Sequence, residues 1–177
     1  DFAYLLGRAM ATYLECDTFA VGRDIRHSSP ALANELMRGL VDGGVAVSDL
    51  GIVSTGCVYH ACWTLPVDGG VMVTASHLAM PTYNGFKMCR GTLPLAGAEI
   101  QELKDVFLQG NFREGTGQIV DTPHLETYLD AIIESTGPIT RSVKVAVDCG
   151  NAVPGPAMTA LLDRLGCEHV DLYCDWD

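Results

Sequence analysis

Gly69-Gly70-Val71-Met72-Val73-Thr74 runs directly into Ala75-Ser76-His77, and Tyr83-Asn84-Gly85-Phe86-Lys87 follows shortly after. The first segment is too apolar for a strand with one wet face, so it predicts a strand buried on both sides. It stops abruptly at a small, polar, nucleophile-capable tetrapeptide. A serine at the carboxyl end of a buried strand faces the crevice where ligands bind in open α/β sheets. Lys87 returns to the same neighbourhood as a candidate phosphate or acid/base partner. The competing reading of Ser76 and His77 is a solvated loop pair making local hydrogen bonds.

Working outward, the connection from Thr74 to Phe86 carries no helical periodicity. A parallel partner strand would need a longer crossover, usually helical, so 86–90 is predicted to lie antiparallel beside 69–74. Upstream, Phe2, Leu5, Leu6, Ala9, Met10, Tyr13 and Leu14 recur at helical spacing. A strand at 19–22 follows, then a helix capped by Ser29-Pro30 and ended by Gly43-Gly44. A strand at 45–50 and a helix at 55–65 complete the approach to 69–74. Downstream, 97–108 and 124–134 read as helices and 110–122 as a polar surface loop. Asn84-Gly85 fits a tight turn with positive φ.

Thr136-Gly137-Pro138 marks a linker. Behind it a fresh strand-helix-strand covers 143–148, 154–165 and 169–174. One such unit cannot bury both faces of its sheet. The expected architecture is therefore a three-layer α/β/α domain over 1–138, with a mostly parallel mixed sheet, followed by a truncated second α/β unit over 139–177. Self-association through that incomplete unit is one expected consequence. Gly150-Asn151-Ala152-Val153-Pro154-Gly155 has some look of a phosphate loop. It lacks the following Lys-Ser/Thr, and its prolines remove amide donors, so it reads as a strand-to-helix turn.

The chain has 177 residues, is 48% hydrophobic and carries a net charge of −11. That charge argues against nucleic acid and anionic membrane surfaces as partners. A phosphate-binding role would need local positive potential, and Arg23, Arg26 and Lys87 are the candidates. Salt bridges to Asp24 or another acid are the alternative use of the two arginines. The seven cysteines are odd in number and show no C-x-x-C spacing, so neither a disulfide framework nor a zinc ribbon is predicted. Cys57 and Cys62 diverge around a helix, which suits core cysteines in a reducing cytoplasm. No run has transmembrane length and no signal peptide is visible. The first residue is Asp1, which suggests a fragment or a trimmed chain.

The stretch VMVTASH…YNGFKM resembles the active-serine loop of the α-D-phosphohexomutases, in their phosphomannomutase/phosphoglucomutase branch. VGRDIRHSSPALANELMRGLVDGGVAVSDLGIVST (21–55) is similar to that family's first strand-helix-strand, and 145–177 to the opening of its second domain. The resemblance implies an isomerase of carbohydrate metabolism that interconverts hexose 1- and 6-phosphates. It implies a phosphoserine at Ser76 and a hexose 1,6-bisphosphate intermediate. It also implies Mg²⁺, bound to Ser76 through its phosphate, with the remaining ligands outside this sequence.

Lys87 matches the family lysine beside the reacting hydroxyl; a solvated strand-end lysine is its alternative. His77 matches a histidine that contacts substrate or phosphate; a loop-orienting hydrogen bond is its alternative. Arg23 and Arg26 are expected to support the phosphoserine, and Asn84 to shape the loop or support the phosphate. Departures are visible. Six residues, 78–83, separate Ser-His from Asn-Gly where the family has five, and a shift near 1 Å matters in phosphoryl transfer. Ser54-Thr55-Gly56 replaces Pro-Thr-Pro, and Ala152 stands for a usual glycine. The family's N-terminal arginine arm, three-aspartate metal loop, sugar loop and C-terminal phosphate domain are not found in these residues. A truncated, non-catalytic homologue acting as a folding or interaction module is therefore the second reading. A serine hydrolase is disfavoured because no G-x-S-x-G elbow surrounds Ser76.

Overall fold

The computed structural model describes residues 1–80 and 82–177. The elements run α1 (Phe2–Leu14), β1 (Thr18–Arg23), α2 (Ser29–Asp42), β2 (Ala46–Ile52), α3 (Thr55–Thr64), β3 (Gly69–Val73), β4 (Phe86–Arg90) and β5 (Leu93–Pro94). They continue through α4 (Ala98–Gln109), β6 (Gln118–Asp121), α5 (Leu125–Thr136), β7 (Lys144–Asp148), α6 (Pro154–Arg164) and β8 (Glu168–Leu172). A six-stranded sheet has the order β5-β4-β3-β1-β2-β6, and β7 and β8 form a separate two-stranded sheet. Pairing is parallel for β3-β1-β2-β6 and antiparallel for β3-β4-β5. The mixed, mostly parallel sheet expected from sequence is present, and β4 occupies 86–90 antiparallel to β3 as predicted.

Strand alternation explains the layers. Phe19, Val21, Val71 and Val73 point into a core built with α1, α2 and α4. Ala20 and Met72 point the other way, into a core built with α3 and supported by Tyr128 of α5. Each fully buried side chain of the size of Phe19 or Leu36 contributes roughly 1.5–3 kcal/mol. On the first face α1 and α2 lie unusually close. A Cβ at Gly7 would collide with the Leu36 carbonyl, and one at Gly39 with the Tyr4 carbonyl. On the second face α5 is tied to α3 by the half-buried His60 and the buried His124, whose ring nitrogens Nδ1 and Nε2 lie 2.9 Å apart. Burial, and then the neighbouring His60, pull the His124 pKa below its ordinary value.

Three local expectations are corrected. The 110–122 segment is not all loop, because Gln118–Asp121 pairs with β2 as a sheet edge. Its four residues are all exposed, so no alternation betrays it. The cap of α2 is Ser28, not Ser29, and Pro30 sits in the first turn. Ser29 is the first helical residue, and its buried hydroxyl is spent on Asp24. Finally, neither Asn84 nor Gly85 has a positive φ; the left-handed residue of this region is Ser76, at φ 56°.

Cys57 and Cys62 are buried in the core as expected, and burial pushes their thiols up to about 11 and about 12. No helix among the described residues is long and apolar enough to cross a membrane. In the second unit, β7-α6-β8 matches the predicted strand-helix-strand within a residue or two at each boundary, and the strands pair in parallel.

Candidate active site

β3 is buried at every position, so the point where it ends is held rigidly. Two backbone bonds fix that end: the Asp24 amide donates to the Val73 carbonyl (3.0 Å), and the Thr74 amide to the Gly85 carbonyl (2.9 Å). The chain then turns. The Ser76 amide donates to Thr74 Oγ1 (3.0 Å), and Ser76 takes a left-handed backbone. A non-glycine residue there costs on the order of 1–3 kcal/mol, and persists only where its surroundings impose it.

Arg26 does the imposing. Its buried guanidinium donates to the carbonyls of Ser76 (2.8 Å), Leu78 (2.8 Å) and Tyr83 (3.1 Å), and its Nε pairs with Asp24 (3.1 Å). Asp24 also accepts the Arg26 amide and the Ser29 hydroxyl. Asn84 completes the clamp: its Nδ2 donates to Ser28 Oγ and Ser29 Oγ, both at 2.9 Å. The loop is thus buckled onto the start of α2. The extra loop residue expected from the resemblance would fall in 78–83, a stretch that includes Pro81, and Pro81 lies outside the described residues.

Ser76 and His77 open into a cleft of about 530 Å³. One wall is the serine loop with Asp24 and Arg26. Opposite stand Ser54 and Thr55 at the start of α3, and residues 150–154 at the start of α6. The start of α3 carries partial positive charge from its first amides, which favours an anion, whereas Pro154 and Pro156 deprive the start of α6 of donors and the Gly155 amide is spent on the Ala152 carbonyl. The α3 start supplies positive potential which the two arginines do not. Four of the five Arg26 N–H groups are already committed. Arg23 pairs with Asp49 (3.3 Å) and does not line the cleft.

The sequence-derived candidates therefore separate. Ser76 and His77 share the cleft, with Ser76 Oγ and His77 Nδ1 3.5 Å apart. Arg26 and Asn84 hold the loop from behind. Lys87 is exposed on β4 opposite Met72, on the sheet face that Met72 presents to the cleft, but does not itself line it. Thr74, Ser54 and the 150–153 turn also line the cleft, although the sequence reading gave them no site role and took 150–155 as a strand-to-helix turn. Ser54 carries a usable signal, since its hydroxyl accepts the Cys57 amide (3.2 Å) as a helix cap.

A divalent cation would need several oxygen ligands. Among the described residues no three His, Cys, Asp or Glu side chains converge to hold one. The donor set present does not fit a metal cage, and no chemistry is assigned through one.

Residues 1–114 match the family model described as phosphoglucomutase/phosphomannomutase, alpha/beta/alpha domain I. The chain belongs to the phosphoglucomutase/phosphomannomutase family. Over its whole length it is 38% identical to a phosphomannomutase/phosphoglucomutase of Pseudomonas aeruginosa, of which it covers 38%. It is 36% identical to a phosphoglucomutase of Neisseria gonorrhoeae, covering 39% of that protein. A crystal structure of a phosphoglucomutase/phosphomannomutase family protein from Burkholderia thailandensis superposes with a TM-score of 0.93 at 36% identity. That match covers all of this chain and 41% of the other. The chain thus spans well under half the length of these mutases, and aligns with them across both its large and its small sheet.

Proposed function

We propose that this chain supplies the phosphoserine-bearing part of a phosphohexomutase that interconverts hexose 1- and 6-phosphates. Phospho-Ser76 would pass its phosphoryl group to a free sugar hydroxyl. The P–O bond to Ser76 breaks as one to the sugar forms, and the hydroxyl proton leaves to a base. The sugar is then a bisphosphate, and its other phosphate returns to Ser76 Oγ. Such a transfer depends on a fixed oxygen and in-line approach more than on covalent help from other groups. The observation that carries the reading is the left-handed Ser76, locked by Arg26 at the end of a fully buried strand and facing a cleft between two helix starts.

In this reading His77 contacts the phosphate beside Oγ. Lys87 serves as the proton carrier once substrate draws the cleft together, and Arg26 and Asn84 act by holding the loop. Mg²⁺ belongs to it only with ligands from outside this chain. The chain alone is expected to take up phosphate without turning over substrate. The boundary between the phosphoserine domain (1–138) and the second unit (139–177) is part of the same proposal.

The test is phosphate mapping after incubation with a hexose 1,6-bisphosphate. The expected result is one phosphate, on Ser76. In a full-length enzyme carrying this segment, Ser76→Ala should lower turnover by a factor on the order of 10⁴ or more. A chain that never accepts phosphate would favour the non-catalytic module, and undiminished turnover in Ser76→Ala would reject the nucleophile.

A further inference from the structure

Seven cysteines are free, and four of them, Cys16, Cys57, Cys62 and Cys89, are buried. Burial raises the pKa of each of those four thiols, which makes them poor nucleophiles. The other three are half-buried and lie in the second unit. Two of these, Cys149 and Cys174, come together at the end of the β7–β8 ladder, where the Cys149 amide and the Cys174 thiol both reach the Leu172 carbonyl.

Their meeting follows from the ladder. The parallel register of β7 and β8 ends with Asp148 opposite Leu172. Pairing continues for one more step, since the Cys149 amide donates to the Leu172 carbonyl (3.1 Å). Tyr173 then turns left-handed at φ 51°, and the Asn151 amide closes on its carbonyl (2.7 Å). Cys174 Sγ lies 3.4 Å from the Leu172 carbonyl and 3.9 Å from the Val147 carbonyl, so it points back into the end of the ladder. The Cys149 amide and the Cys174 thiol thus meet at one carbonyl, that of Leu172, where the ladder ends. Gly155 at the start of α6 pins the second cysteine, since a Cβ there would strike the Cys174 carbonyl.

We propose that Cys149 and Cys174 form a reversible disulfide that locks the far wall of the serine cleft. The oxidant is a low-molecular-weight disulfide. One cysteine thiolate attacks it, forming a mixed disulfide and releasing one small thiol. The second cysteine thiolate displaces the other, so the protein gives up two electrons and two protons and the oxidant leaves as two thiols. The bond joins the residue before the 150–153 turn to the segment leading to Asp177, and the turn and Asp177 line the cleft. Asn151 already reaches across to the Asp175 carbonyl (2.9 Å), so the oxidised form reinforces an existing contact.

Burial, the Cys174 partner, and the carboxylates of Asp148 and Asp171 push the Cys149 thiol up. Oxidation is accordingly slow at neutral pH and faster in mild alkali. The site is distinct in chemistry from the proposed phosphoryl transfer, and stands or falls without it.

The experiment treats the 177-residue chain with oxidised glutathione, digests it without reduction and maps the linked peptides. The expected product is an intramolecular 149–174 link, with amide exchange at 150–153 slowed about tenfold or more relative to the reduced chain. Cys149→Ser and Cys174→Ser should each abolish both effects, and Cys167→Ser should leave both intact. Stable glutathione adducts on Cys149 or Cys174 without the link, a link through another cysteine, or a disulfide-bonded dimer would each overturn the proposal. So would a link that leaves the exchange of 150–153 unchanged.

Discussion

The two sheets of this molecule are made by the same rules and end differently. β3, in the six-stranded sheet, has α1, α2 and α4 on one side and α3 on the other, and all five of its residues are buried. β7 alternates exposed and half-buried residues, and β8 is nearly all exposed. Only Gly155 and Leu162 of the covering helix α6 are buried. Both sheets send a turn into the same cleft. One turn is therefore anchored by a core, and the other by backbone pairing and a few local contacts. The serine stands on the anchored side, where a misplacement near 1 Å is hardest to produce.

The largest expected difference is in local opening. Amides of 69–73 should exchange only through global unfolding, and those of 144–148 and 168–172 through local opening, several orders of magnitude faster. Equal protection measured by hydrogen exchange in the monomer would break the comparison.

Buried and exposed arginines sharpen it next. Arg26→Met strands the buried Asp24 carboxylate and leaves three loop carbonyls unpartnered, at an expected cost of about 3–5 kcal/mol. Arg164 pairs with Glu126 and Asp130, both largely exposed, so Arg164→Met should cost about 0–1 kcal/mol. Denaturant midpoints on the two variants give the ratio, and equal losses would contradict the assignment.

The smallest effect is at the α3–α5 seam. His124 is held below its ordinary pKa in the folded chain, so the unfolded chain takes up the proton first. Its stabilising effect is complete above the ordinary histidine value near pH 6.5, and is lost as pH falls from there towards the depressed folded value. His124→Gln should cost about 1 kcal/mol at pH 7.5 through the lost ring–ring hydrogen bond. It should also flatten the acid limb of the stability curve. An unchanged acid limb in that variant would rule His124 out as its cause.

The sequence was most legible where physics is local and strong. An apolar run of strand length and a connection too short for a crossover were enough to place β3 and β4. β6 escaped because QIVD is a short, wholly exposed edge, held by backbone pairing rather than by a buried face. At the site, the serine and its histidine were visible as chemistry, but the conformation that presents them was not. Asn84-Gly85 advertised a left-handed turn that its residues do not take, since the Asn84 amide is used across the loop on Ser28 and Ser29. The strained residue is Ser76, and nothing in its identity announces it, because the strain is imposed by Arg26 fifty positions earlier. The role of 150–153 as a cleft wall was likewise invisible, being a matter of how the two units face each other.

The left-handed backbone at Ser76 also narrows what evolution can write at that position. Threonine offers the same hydroxyl, yet its β-branch makes it a poor occupant of a positive-φ site. Glycine suits the backbone but has no oxygen, whereas asparagine and aspartate tolerate the conformation without supplying a hydroxyl. Serine is the residue that satisfies both demands, so drift here has no gradual path: a conservative-looking neighbour either loses the oxygen or unseats the loop.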